Sequence, residues 1–179
     1  DTWISQNQFF RRNRRLVNLW QINTGFADLD TYGNHDLSMI SPEGQAMMVL
    51  EECGEKKIPA PSLILFSGRG LQLKWIFSKP IPRQVLPRWN AMQRHITWGL
   101  KPFMADQNSI DGSRVLRLEQ TINSKSGERV RVLWPERNKP VTWDFELLSR
   151  EILPFSREEL ERPAAAKVAG KSRNALRGI

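Results

Sequence analysis

Leu63-Ile64-Leu65-Phe66-Ser67-Gly68-Arg69-Gly70-Leu71-Gln72-Leu73-Lys74-Trp75-Ile76-Phe77 is the stretch whose reading decides the fold. Four apolar residues make a short buried strand, Gly68 and Gly70 frame a tight turn, and residues 71–77 alternate with period two. This is a β-hairpin. Upstream, residues 2–8 read as a strand, residues 16–30 contain another, and Tyr32-Gly33-Asn34 turns the chain. Ser41-Pro42-Glu43-Gly44 opens a helix, with Ser41 as the cap and Pro42 in the first turn. Ala46, Met47, Val49, Leu50 and Cys53 follow at helical spacing until Gly54 and Pro59 end it. Downstream, Pro80, Pro82 and Pro87 lead into a helix over residues 86–103. Residues 106–113 are loop, and residues 114–121 and 128–134 read as two strands around a turn at 123–127. Residues 144–153 and 156–168 are helical, the second opening with the capping box Ser156-x-x-Glu159. The order gives an α+β fold, a mainly antiparallel sheet covered by helices, with further helices at the C-terminus. Seven tryptophans, at 3, 20, 75, 89, 98, 134 and 143, fit helix–sheet packing better than base stacking.

The 179 residues carry 27 Lys plus Arg against 19 Asp plus Glu, a formal charge of +8. This length suits one domain, residues 1–153, with 154–179 as a helical extension or linker. Hydrophobic residues at 40% and charged residues at 26% exclude a disordered chain. Cys53 stands alone, which excludes an internal disulfide and a Cys-rich zinc site and fits a reducing cytoplasm. No apolar run approaches the ~18 residues of a membrane helix, and no signal-peptide pattern is present. Asp1 at the first position points to a fragment of a longer protein.

The distribution of charge is more telling than its total. Residues 56–105 contain no acid and nine basic residues, among them Lys74, Arg83, Arg88 and Arg94 around the hairpin and the following helix. Those four are the expected nucleic-acid contacts. Arg11, Arg12, Arg14 and Arg15 form a second cluster, and Arg162, Lys167, Lys171, Arg173 and Arg177 a third. Both terminal clusters also read as solvated basic surface.

Three segments carry chemistry. Asp28 and Asp30, two apart in a strand, project to one face. Two adjacent anions repel, so one takes up a proton unless a cation lies between them, and a divalent metal is the common remedy. The same pattern fits a strand end with Asp30 capping its turn. Ser67-Gly68-Arg69-Gly70 lets backbone approach a ligand while Arg69 offers a phosphate partner, or is an ordinary hairpin tip. Asp111 offers a third carboxylate, and Arg117, inside an apolar run, needs an anionic partner if buried. Arg117 and Lys125 could hold a triphosphate. The alternative is a strand with surface salt bridges.

Phe26-Ala27-Asp28-Leu29-Asp30-Thr31-Tyr32, the 67–75 turn and strand, and Asp111 followed by Arg114-Val115-Leu116-Arg117-Leu118 and Thr121-Ile122-Asn123-Ser124-Lys125 occur in that order. The ordered set resembles the archaeo-eukaryotic primase superfamily over residues 16–134. It looks closest to the primase-polymerase domains of plasmid and mobile-element replication proteins. The resemblance implies an RRM-like catalytic core that makes short primers on single-stranded DNA by two-metal nucleotidyl transfer. It assigns Asp28, Asp30 and Asp111 to catalysis, holding Mg²⁺ or Mn²⁺. It assigns Ser67, Gly68, Arg69, Gly70, Gln72, Arg114, Arg117, Asn123 and Lys125 to the nucleoside triphosphate. Where the family has a histidine against the nucleotide, this chain has Gln72, which donates hydrogen bonds without charge. Implied partners are the template, nucleoside triphosphates and a replicative helicase or origin-binding domain outside the fragment, with no membrane. Two further readings stand beside this one: a non-catalytic nucleic-acid-binding initiator module, and a gap-filling repair polymerase of the same superfamily.

Overall fold

In chain order the elements are β1 (Trp3–Ser5), β2 (Gln8–Phe9), β3 (Leu19–Leu29), α1 (His35–Ser38), α2 (Pro42–Glu55), β4 (Leu63–Phe66), β5 (Leu71–Pro82), α3 (Leu86–Gly99), β6 (Val115–Arg117), β7 (Arg131–Trp134) and α4 (Phe145–Ile152). These come from a computed structural model, which describes residues 1–136 and 139–154. The hairpin of β4 and β5 is the centre of the fold. Phe66 pairs with Leu71 and Leu63 with Lys74, and the Ser67 N–H donates to the Gly70 carbonyl at 2.9 Å. β5 continues to Pro82 and pairs along its other edge with β3, giving an antiparallel five-stranded sheet in the order β2-β3-β5-β4-β7. The α+β class is as expected.

Alternation sorts the sheet's two faces. Leu29, Ala27, Leu71, Leu73 and Trp75 are buried in the hydrophobic core. Asp28 and Gln72, paired across β3 and β5, point the opposite way. β2 covers only the start of β3, so the outer edge of β3 would otherwise expose unpaired backbone. Gln93 of α3 closes it: its Oε1 accepts from the Phe26 N–H and its Nε2 donates to the Phe26 carbonyl, both at 3.0 Å. Helix capping follows the sequence, with Ser41 Oγ accepting from Gly44 and the Asp144 carboxylate from Leu147.

Four expectations are corrected. The first strand splits in two, because buried Asn7 turns inward, donating to the Gly112 carbonyl at 3.0 Å and accepting from the Asn23 N–H at 3.0 Å. Residues 114–121 and 128–134 do not form one hairpin. β6 pairs with β1, β7 pairs with β4, and a single bridge joins Ile122 to Arg129. The positive φ of 66° at Gln120 ends the first run. The helix over 86–103 stops at Gly99, and a separate 3-10 turn spans Lys101–Phe103. Finally, of the seven tryptophans only Trp75 and Trp89 are fully buried, whereas Trp3, Trp20, Trp98 and Trp134 are exposed. The expected 156–168 helix, its capping box and the basic tail lie outside the described residues, as does all of the 154–179 extension except Pro154.

Candidate active site

β3 delivers Asp28 and Asp30 to the end of the sheet where the 67–70 turn and the chain after α3 converge. Asp28 lies directly across from Gln72. Behind the pair, the Asp30 N–H donates to the Met104 carbonyl at 3.1 Å and the Asp106 N–H donates to the Asp28 carbonyl at 2.8 Å. Asp30 does not cap its turn with its side chain; only its carbonyl accepts, from the Gly33 N–H. The capping alternative is thereby removed, and the carboxylate is left to the cleft.

That cleft, about 130 Å³, is lined by Asp28, Asp30 and Gln72 of the sheet end, by Ser67, Arg69 and Tyr32, and by Trp3, Arg117, Asn123 and Lys125. Arg69 lies over the Tyr32 ring, 3.9 Å from its centroid. Arg117 is buried and finds its anionic partner in Asp1, with its guanidinium 4.3 Å from the Trp3 ring centroid. Asp1 also takes the Ser124 N–H at 2.9 Å and hydroxyl at 2.8 Å, which ties this wall together. Asn123 braces the glycine turn, its Nδ2 donating to the Ser67 carbonyl at 2.9 Å. A second hollow of about 550 Å³ also reaches Asp28, lined by Trp3, Arg14, Arg114 and Val115. The acid is therefore shared between two cation-lined hollows.

Burial pushes the Asp28 carboxyl up to about 6, and the charge of Asp30 pushes in the same direction. A hydrogen bond from Gln72 and the charge of Arg114 oppose the shift, while Asp106 adds to it. Burial lowers the Arg117 pKa, opposed by the charge of Asp28. Gln72 is buried, and its Oε1 has no hydrogen-bond partner.

The structure gathers Asp28, Asp30, Ser67, Arg69, Gln72, Arg117, Asn123 and Lys125 as expected, and Gly68 and Gly70 shape the turn behind them. Asp111 is not among them. Its carboxylate accepts from the N–H and hydroxyl of Ser113 and sits 3.6 Å from Arg114 Nε, so it braces its own loop. No three His, Cys, Asp or Glu side chains gather closely enough to hold an ion among the described residues. Arg114 lines the second hollow and not the cleft. Of the expected nucleic-acid contacts, Lys74 is half-buried with its pKa lowered by burial, and Arg88 is bonded to Glu146 at 2.7 Å. Arg83 and Arg94 remain exposed. Sequence reasoning did not single out Asp106, which the Leu29–Ala105 bridge carries beside Asp28, with its carboxylate accepting from the Asn108 N–H at 2.9 Å and 3.9 Å from Arg114. Its signal was the apolar run Phe103-Met104-Ala105 before an acid, the same arrangement as Phe26-Ala27-Asp28. Trp3 and Asp1 left no signal, because only long-range pairing of β1 with β6 brings them in.

No family model matches the chain. A solved structure, the AEP domain of the primase-polymerase (PrimPol) of cyanophage S-2L, superposes with a TM-score of 0.62 over 84% of this chain and 69% of that one, at 17% identity. The chain has the fold of an archaeo-eukaryotic primase domain. A "Replication protein" of Clostridium perfringens is 38% identical over 132 residues, 73% of this chain and 31% of that protein. The chain thus spans about a third of that relative. Within the AEP-type fold, Asp28 and Asp30 stand at the end of β3 beside the hairpin turn. Among the described residues, no helix is long and apolar enough to cross a membrane.

Proposed function

We propose that this chain is the primase-polymerase domain of a plasmid-type replication protein, joining nucleotides into short primers on single-stranded DNA. The observation that carries the reading is the carboxylate pair beneath walls of Arg69, Arg117 and Lys125, on an AEP-type fold. In the reaction a 3′-hydroxyl attacks the α-phosphorus of a nucleoside triphosphate, a phosphodiester forms, and pyrophosphate leaves. Arg69, Arg117 and Lys125 bind the triphosphate and Asn123 holds the turn that carries Lys125. The second hollow, with Arg14 and Arg114, receives the chain that bears the 3′-hydroxyl. The residues fit a divalent cation: two carboxylates and the partnerless Gln72 Oε1 are hard oxygen donors of the kind Mg²⁺ and Mn²⁺ take together with phosphate. Held by Asp28 and Asp30, with Asp106 nearby, such ions would lower the pKa of the attacking hydroxyl and neutralise the leaving pyrophosphate. The test is incubation with single-stranded DNA, Mg²⁺ or Mn²⁺ and labelled triphosphates, with no primer. Extended product supports the reading. Extension of gapped duplex alone would favour a repair polymerase. Binding with no incorporation would favour the initiator module, the reading that uncharged Gln72 supports.

Cation binding has its own signature. The folded chain holds a proton on Asp28 up to pH about 6, against 3.8 ordinarily, so it binds more protons than the unfolded chain between these values. Stability therefore falls as pH rises through that window, and a cation reverses the loss. Proton competition should weaken Mn²⁺ affinity about tenfold at pH 5 relative to pH 7. Thermal unfolding with and without Mn²⁺ should show the larger upward shift at pH 7. Equal shifts at both values would place the cation elsewhere.

Arg117→Ala and Lys125→Ala should each raise the nucleotide KM, about tenfold for the buried arginine, the scale of a charge-assisted hydrogen bond. Template affinity should move less. A fall in template affinity at constant KM would assign Arg117 to the nucleic-acid path.

A further inference from the structure

At the opposite end of β3 from the carboxylates, Trp20 and Phe10 pack together in the open. Their ring centroids are 5.6 Å apart with planes 31° from parallel, and they are 48% and 64% exposed. With Gln21, Pro80, Pro82 and Arg83 they line a hollow of about 490 Å³. Neither ring hangs on a loose segment: Trp20 lies within β3, and the Phe10 N–H donates to the Asn18 carbonyl at 2.9 Å. Fixed aromatic surface exposed in this way marks a binding site. We propose that the Phe10–Trp20 pair, beside Arg83, is a base-stacking platform for single-stranded nucleic acid, distinct from the carboxylate cleft.

Charge selects the occupant. The sequence has no acid over residues 2–27 and none over 56–105. The pairing of Gln21 with Pro82 and of Ile22 with Ile81 brings these two acid-free stretches side by side. Arg11, Arg12 and Arg15 are exposed in the β2–β3 connection that carries Phe10, and Arg83 is exposed across the hollow. Flat π-faces beside exposed arginines, on two stretches that carry no acid, match a polyanion whose planar groups are free to stack. A duplex keeps its bases inside and presents none. Asp28 and Gln21 are seven residues apart along β3, about 23 Å at the rise of a strand. A bound strand would therefore be held well away from the site of chemistry.

The inference rests on the reading of the chain as a nucleic-acid enzyme, and the test separates the two. Anisotropy of a labelled oligo(dT) is followed with the full chain. The Phe10→Ala/Trp20→Ala double variant should bind the single strand at least tenfold more weakly, since a stacked base is worth about 1–3 kcal/mol by alanine substitution. Trp20→Phe should stay within about threefold of the parent. Removing no charge, the double variant keeps its salt slope, whereas Arg11→Gln/Arg12→Gln/Arg83→Gln flattens the slope by about 2. The Mn²⁺-dependent thermal shift at the carboxylate cleft stays as in the parent in every variant. On the unaltered chain, ultraviolet cross-linking of an oligonucleotide carrying 5-iodouracil should attach within residues 8–22, and this holds even if a variant fails to fold. Single-strand affinity within twofold of the parent in the folded double variant overturns the platform while leaving primer synthesis intact. So does attachment only outside residues 8–22, or a self-association that Trp20→Ala abolishes. An inactive chain that still stacks DNA on Trp20 overturns the enzyme reading and keeps the platform.

Discussion

Asp28→Asn and Asp30→Asn should each reduce nucleotide incorporation by more than about 100-fold, beyond the 10–100-fold typical of residues that act on a metal through another group. Nucleic-acid affinity should hold or rise, because a negative charge leaves a surface that binds a polyanion. Asp28→Asn carries a second signature. With its folded pKa raised from 3.8 to about 6, ionised Asp28 destabilises the metal-free fold above pH 6 by up to about 3 kcal/mol. An uncharged amide removes that cost, so the variant should unfold at a higher temperature than its parent at pH 7.5 without cations, and respond little to Mn²⁺. Lost synthesis with gained stability is what a functional carboxylate produces and a structural one does not. The third acid can be assigned in the same series. Asp106→Asn, which removes a charge beside Asp28 along with the contacts to Asn108 and Arg114, should cost more than Asp111→Asn, which loosens only the contacts to Ser113 and Arg114 and should stay within about tenfold of the parent. Retained synthesis in both Asp28→Asn and Asp30→Asn would remove the catalytic assignment altogether.

The contrast between Asp111 and Asp106 shows where a sequence is legible. The hairpin, β3 and the capped start of α2 are local patterns, in which period, turn residues and cap chemistry agree within ten residues of one another. Asp28, Asp30, Ser67, Arg69 and Gln72 inherit their placement from these elements, because one register pairs β5 with both neighbours. The other wall of the cleft depends on β1 meeting β6, two three-residue strands more than 100 positions apart, and nothing local specifies that meeting. Burial of Arg117 announced the need for an anion without saying that Asp1 would supply it. Gln93 reads as an ordinary polar residue of a helix, yet it completes the edge of β3. The exposed tryptophans have a related cause. Size and apolarity predict burial on average, and Trp20 is kept in the open at the end of a sheet that an aromatic neighbour and arginines surround.

Gly70→Ala should be the most damaging glycine-to-alanine change among the described residues. A Cβ at Gly70 would lie 2.1 Å from the Leu29 carbonyl oxygen, 3.2 Å from its carbon and 3.4 Å from Asp30 Cα. All three are backbone atoms of the strand end that carries both carboxylates, so no side chain can swing aside. Overpacking of this kind costs about 3 kcal/mol or more, which lowers Tm by roughly 6–12 °C in a domain of this size. Relief requires β3 and the turn to separate, which shifts Asp28 and Asp30 against Arg69. Incorporation measured well below Tm should therefore fall in the Gly70→Ala chain that remains folded. Three other glycines calibrate the effect. Gly68 has φ of 91° and its Cβ would meet Asn123 Cβ at 2.6 Å, a wider gap than the 2.1 Å at Gly70 but again an atom held by its own backbone, so Gly68→Ala should come second. Gly127 has φ of 76° and open space around it, so Gly127→Ala bears only the left-handed backbone penalty of about 1–2 kcal/mol. Gly54, in α2 with nothing within 4 Å, should gain about 0.5–1 kcal/mol as alanine. Thermal unfolding should rank the four variants Gly70, Gly68, Gly127, Gly54, from most to least destabilised. A Gly70→Ala chain as stable and as active as Gly127→Ala would mean that the turn does not press on β3, and that the carboxylates owe their position to something else.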